Sequence, residues 1–188
     1  MSADSASAER AVRGISIGIA AMTAVVVAAN ILVQFPINDW LTWGAFVYPV
    51  SFLVTDLTNR TLGPRRARLV VFAGFAVAVV LSTYFATVRI AIASGTAFII
   101  AQLLDVWIFD RLRRATWWHA PLVSSTLASA IDTALFFALA FAGTGLPWIT
   151  WALGDYGVKL VFAGLMLIPF RALMRFTPAA HGSITNPT

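Results

Sequence analysis

Residues 120–142 read APLVSSTLASAIDTALFFALAFA. At a rise of about 1.5 Å per residue, a helix of that length matches the roughly 30 Å hydrocarbon core of a bilayer. Lipid offers no partner to a bare N–H or C=O, so such a run must satisfy its own backbone as a helix. Its one ionisable residue, Asp132, falls near the middle. A charge there costs about 2.5–3.5 kcal/mol on insertion scales, so it has to face a shared polar interior rather than lipid.

Five further runs extend the reading outward: 14–33, 41–58, 69–88, 90–109 and 148–173. The fold class is therefore all-α, a polytopic membrane protein packed as a compact bundle of six transmembrane helices. Sixty per cent of the residues are hydrophobic, 11% are charged and the mean hydropathy is +0.84. Soluble domains carry about a quarter charged residues, so a separate soluble domain is excluded. The organisation is a cytoplasmic N-terminal segment (1–13), the six-helix domain (14–176) and a disordered cytoplasmic tail (177–188). Arg10 and Arg13 followed by small residues also resemble a signal peptide, but five more spans favour an uncleaved first helix.

Orientation follows from the arginines, which concentrate in short cytoplasmic loops. Arg10 and Arg13, then Arg60, Arg65, Arg66 and Arg68, then Arg111, Arg113 and Arg114, and finally Arg171 and Arg175 all fall on one side. The opposite connections hold only Arg89. Both termini are expected in the cytoplasm. Trp40, Trp43, Trp148 and Trp151 mark the outer ends of spans two and six, and Trp117 and Trp118 the inner start of span five, the headgroup level that such rings prefer.

The spans are also interrupted by chemistry. Pro49 breaks span two, with Phe52 and Asp56 on the same face below it and Thr55 and Asn59 alongside; a packing kink or a binding site fits such a break. On span four Phe98, Gln102, Asp105 and Phe109 share a face, and on span five Ser125, Ser129, Asp132 and Phe136 do. Gln102 suits helix-to-helix bonding as well as ligand contact. Asp155 and Lys159 stand four apart in the favourable order for an intrahelical pair. Lys159 could instead neutralise Asp132 or Asp105, leaving a carboxylate to act in coupling. Ala20, Ala24 and Ala28 form a small-residue stripe, expected to pack on another helix of the same chain.

Enzyme chemistry finds little footing. There is no cysteine, and the two histidines, His119 and His181, lie outside the spans, so thiolate and histidine metal sites are not expected. No Gly-rich phosphate loop ending in Gly-Lys-Ser/Thr is present. Two intramembrane aspartates sharing a proton would suit proteolysis, but no local motif supports it. The chain reads as a non-enzyme without a cofactor.

Several segments together resemble the queuosine precursor transporters, a family also described as vitamin-uptake integral membrane proteins. They are Thr42-Trp43-Gly44-Ala45-Phe46 with Pro49, Thr55-Asp56-Leu57-Thr58 and Gly63; Arg89-Ile90-Ala91; Gln102, Leu104-Asp105-Val106, Phe109, Arg111, Leu112 and Arg113; Trp117-Trp118 with Ala120-Pro121; Ser124 to Leu127; Asp132-Thr133; and Asp155-Tyr156 with Lys159. The resemblance implies a carrier in the bacterial inner membrane that imports cyano- or aminomethyl-deazaguanine for tRNA modification. Its partners would be the deazaguanine nucleobase and the lipid bilayer, with no direct nucleic-acid contact; a homo-oligomer is left open. The short connection between spans three and four departs from the family.

For such a base, Asp56 or Asp132 could accept the paired ring N–H and amine, with Asp105 nearby. Phe46, Phe52 or Trp43 could stack on the ring, and Asn59 and Gln102 could read its carbonyl edge. Asp155 and Lys159 form a coupling or structural ion pair. Downhill import and proton-coupled import through Asp132 or Asp155 both fit these residues. The alternative is the substrate-binding subunit of an ATP-driven (ECF-type) vitamin importer.

Overall fold

The computed structural model describes residues 3–85 and 87–174, and the regular elements among them are all helices. They are α1 (Ala3–Leu32), α2 (Gly44–Val47), α3 (Val50–Leu62), α4 (Pro64–Phe85), α5 (Val88–Leu112), α6 (His119–Phe141), α7 (Trp148–Leu165) and α8 (Leu167–Met174). Four stretches are long and apolar enough to cross a membrane: Ala11–Leu32, Val88–Leu112, His119–Phe141 and Trp148–Met174. The protein is thus an all-helical, multi-pass membrane protein. The expected span 41–58 corresponds to α2 and α3 together, and 69–88 falls largely within α4. The tail 177–188, expected to be disordered, lies outside the described residues.

Two prolines shape the chain's path. Pro49 cannot donate to a carbonyl one turn back, so α2 stops at Val47 and α3 begins at Val50. The junction is tightened by three-residue bonds from Ser51 N to Tyr48 O (2.9 Å) and from Phe52 N to Pro49 O (3.2 Å). The sixth expected span is likewise two helices, because Pro169 removes the bond that Leu165 O would accept and the helix is interrupted at Met166.

At one end of the bundle the loop after α1 folds back through a bridge between Pro36 and Thr42. Close approach there requires glycine: a Cβ on Gly44 would lie 2.8 Å from Val33 N, and one on Gly154 would run into the Trp40 carbonyl. Arg89 donates to the carbonyls of Leu139 (2.9 Å) and Ala142 (2.6 Å). It thereby satisfies the exposed C-terminal end of α6 and complements its dipole. The opposite end gathers the arginine-bearing turns: Gly14 faces Leu62, and Arg113 reaches back to Asn59 on α3.

α1 packs on α4 through Gly18, Met22 and Val26 against Val70 and Gly74. The expected partner for the alanine stripe is not found: Ala20 and Ala24 are exposed and Ala28 half-buried. Steric fit explains this, because the larger Ile15, Ile19 and Met22 fill the α4 contact and turn the alanine face outward. Trp151 departs from the headgroup expectation too, being buried edge-on against Phe141 with its indole N–H donating to Asn38 O (3.2 Å).

Candidate functional site

The buried carboxylates of the described interior, Asp56, Asp105, Asp132 and Asp155, fall into two groups. The first is built on Lys159 of α7, which is 3% exposed. Its Nζ lies 2.8 Å from Asp132 Oδ2, 2.6 Å from Asp155 Oδ2 and 2.9 Å from Thr133 Oγ1. Thr133 in turn donates to Asp155 Oδ2 (2.9 Å), and the Tyr48 hydroxyl donates to Asp132 Oδ1 (2.8 Å). The ammonium also sits over the Tyr48 ring, 4.8 Å from its centroid, a cation–π contact strengthened by burial. Lys159 thus contacts both Asp155 on its own helix and Asp132 on α6; Asp105 is not among the partners the described contacts give it.

A cavity opens beside this group. Asp132, Asp155, Lys159, Tyr48 and Phe136 line it, together with Asn30 from α1 and Ser94 from α5. Ser94 donates to Asn30 Oδ1 (2.7 Å). The cavity therefore presents carboxylates, an ammonium, hydroxyls, an amide and aromatic rings within an apolar bundle. With both acids ionised and Lys159 protonated, the group carries one net negative charge.

The second group lies toward the arginine-rich end. Asp56 on α3 accepts from Ser125 (3.2 Å) and, at longer range, from Ser124 (3.5 Å), both on α6. Asp105 on α5 faces Asp56 and Ser124, yet neither of its carboxylate oxygens makes a hydrogen bond of good geometry. A second cavity, lined by Phe52, Asp56, Ser125, Ser129 and Phe162, reaches from here to the other side of Lys159.

The remaining expected site residues fall elsewhere. Gln102 accepts from Thr55 and donates to Ser51 (3.0 Å). Asn59 donates to Val106 O (3.2 Å) and accepts from Arg113 (2.7 Å). Both amides tie α3 to α5, so their bonding capacity is engaged within the fold. Phe52 is buried against Ala101, Ala128 and the edge of Tyr48. Trp43 and Phe46 point outward, 55% and 38% exposed, with Phe46 beside Phe162 on a surface groove. The short α2 rotates these two rings away from the interior that Tyr48, after it, enters.

Sequence reasoning passed over Tyr48, Asn30 and Ser94. The available signals were a phenol directly before the helix-breaking proline, and single polar side chains inside runs otherwise apolar.

Together these features define a multi-pass helical membrane protein whose apolar bundle encloses a charged, aromatic-lined cavity, the architecture of a small-solute transporter. Residues 42–88 and 82–174 match the family model described as "Putative vitamin uptake transporter". A protein of Haemophilus influenzae named "Probable queuosine precursor transporter" is 36% identical over 198 residues, covering 86% of this chain and 82% of the relative. The "Queuosine precursor transporter" of Escherichia coli is 33% identical, covering 80% and 81%. A Bacillus subtilis relative with the name "Probable queuosine precursor transporter" is 27% identical, covering 69% of each chain. No solved structure matches. The chain belongs to the queuosine precursor transporter family.

Proposed function

We propose that this protein imports queuosine precursors, the cyano- or aminomethyl-deazaguanine bases, across a bacterial inner membrane, with the base held in the cavity beside Lys159. The observation that carries this reading is the meeting of Asp132, Lys159, Tyr48 and Phe136 around one enclosed space. A guanine-like base offers a ring N–H next to an exocyclic amine. Asp132 accepts that donor pair: each of its oxygens already takes one hydrogen bond, and each carboxylate oxygen has capacity for a second. The carbonyl edge then accepts from Lys159 or the Tyr48 hydroxyl, and the flat ring stacks on Phe136 or Tyr48. Asn30 and Ser94 also line the cavity.

This assignment moves stacking from Phe46, Phe52 and Trp43 to Tyr48 and Phe136, and removes edge reading from Asn59 and Gln102. It keeps Asp132 as the carboxylate that reads the base. In this reading six segments cross the membrane, α2 with α3 making the second crossing and α7 with α8 the sixth, with both termini in the cytoplasm. The one-sided arginines support that orientation. The ATP-driven alternative finds no support among the relatives, which are named as transporters.

The test is uptake by the purified protein in liposomes with labelled deazaguanine outside. Saturable uptake, competed by unlabelled base, is expected. Its absence in protein shown to be folded and inserted would refute the reading.

A further inference from the structure

The geometry points to a site for one monovalent cation, a proton or a sodium ion, held between Asp56 and Asp105. Three helices build it: α3 supplies Asp56, α5 supplies Asp105 and α6 supplies the hydroxyls of Ser124 and Ser125. All four side chains are buried, and Asp105 is completely so. Both serines contribute to Asp56, whereas both oxygens of Asp105 are left without a well-formed bond. A buried carboxylate in that condition loses its hydration and recovers little of it within the fold, a cost that native proteins remove with a partner.

Among the described residues, no neighbouring basic group is that partner. Lys159, which lines the same cavity as Asp56, is committed to Asp132 and Asp155. Arg113 at the end of α5 donates to the carbonyl and side chain of Asn59 and pairs with Asp110 at 2.9 Å. From α6 the pair meets serines, and the cavity wall contributed by α8 is Leu167 and Phe170. Two facing acids with hydroxyls around them and, among the described residues, no fixed cation make a hard-oxygen cage with room in its charge balance for one positive charge. Such a cage takes either a proton shared between the acids or a sodium ion coordinated by carboxylate and hydroxyl oxygens.

The contrast with the first group assigns the roles. Asp132 and Asp155 share a built-in ammonium, which leaves that group one net negative charge. Asp56 and Asp105 have none among the described residues, so their cation comes from solution. Its use as the coupling ion of import rests on the transport reading; its binding does not.

The binding test uses the full-length protein in detergent without base. Melting is followed while sodium replaces choline at constant alkaline pH and ionic strength, and separately while a choline buffer is made mildly acidic. One of the two should raise the wild-type melting temperature by several degrees, sodium identifying the sodium ion and acid alone the proton. Asp105→Asn carries one negative charge fewer, like the loaded pair. It should therefore melt above wild type in alkaline choline and lose most of the response. A variant that responds as wild type does, or that melts below it under every condition as a mere scaffold change would, overturns the site. Asp56→Asn is read the same way if Asp105→Asn does not fold. A wild type insensitive to both cations overturns the site without any variant. In liposomes, the matching inward cation gradient should accumulate base above equilibrium. Equilibration without accumulation under either gradient refutes coupling and leaves transport standing, whereas no uptake at all refutes transport and leaves cation binding to the melting data.

Discussion

Replacing Lys159 by Met probes the charge balance of the interior most directly. Met keeps an unbranched apolar chain in a site that is 3% exposed, so the change in packing is small beside the change in charge. What disappears is the only cation within 3 Å of Asp132 Oδ2 (2.8 Å) and Asp155 Oδ2 (2.6 Å) among the described contacts. The bond to Thr133 Oγ1 (2.9 Å) goes with it. Breaking a buried ion pair by removing one partner costs about 3–5 kcal/mol, because the remaining charge stays in a poor solvent. For a chain of 188 residues, each kcal/mol moves the melting temperature by about 2–4 °C, so the expected fall is about 6–20 °C. A proton taken up by one acid would trim the loss, which favours the lower half of that range. Tryptophan fluorescence during heating in detergent, without ligand, reads it out. Adding Asp155→Asn to Lys159→Met should recover part of the fall, since it removes one stranded charge. A loss below about 1 kcal/mol, or a double variant no better than the single one, would show that the ammonium is not what holds the two acids in place.

Asp132→Asn should weaken equilibrium binding of the deazaguanine by about 1–3 kcal/mol, because an amide oxygen accepts while its NH2 opposes the donors of the base; unchanged affinity removes Asp132 from the site. Phe136→Ala should lower base affinity by about 1–3 kcal/mol through lost stacking. Phe52→Ala should instead lower unliganded melting by the equivalent of about 3–5 kcal/mol, with Phe52→Leu restoring most of it; a Phe52→Ala protein that melts normally but binds poorly would reverse the two assignments. Gly44→Ala should destabilise by about 1–3 kcal/mol because its Cβ meets the Val33 backbone, whereas Gly157→Ala, with nothing within 4 Å, should be neutral or gain up to about 1 kcal/mol from helix propensity. Reporter fusions after Met174 and between Gly143 and Pro147 should report opposite sides of the membrane, and agreement between them would sink the six-crossing topology.

How much of this was legible beforehand depended on whether a signal was local. Helices and their polar faces were, because hydropathy and periodicity act within one segment: the face Phe98, Gln102, Asp105 and Phe109 is buried as its spacing requires. The break at Pro49 was legible for the same reason, and the one at Pro169 obeys the same rule though the run 148–173 reads as a single span. Pairings between helices were not. Nothing in the spacing says that Gln102 meets Ser51 and Thr55, or decides among Asp155, Asp132 and Asp105 as partners of Lys159. The facing of Trp43 and Phe46 was hidden too, because a proline break resets the angular phase and periodicity carried through Pro49 no longer holds before it.

That phase reset explains how so small a chain keeps two polar groups apart. Had the second expected span been one straight helix, a single face would have to serve both the cavity near Asp132 and the cage at Asp56. Instead Tyr48 leaves the junction toward Asp132, while Phe52 and Asp56 continue down α3 toward the serines of α6. The rings of Tyr48 and Phe52 meet edge to face at 6.3 Å. Lys159 borders both cavities. The helix that carries it is itself interrupted about two turns before Met174, at the Met166 junction that Pro169 imposes. Both helical pairs, α2 with α3 and α7 with α8, therefore have a joint at which backbone bonding is incomplete, and such joints absorb changes in direction that a continuous helix resists. A shift of α7 against α6 would alter the bonds of Lys159 to Asp132 and the outline of the cavity reaching Asp56 in one movement. That is the mechanical requirement for a charge at one group to be felt by a base at the other.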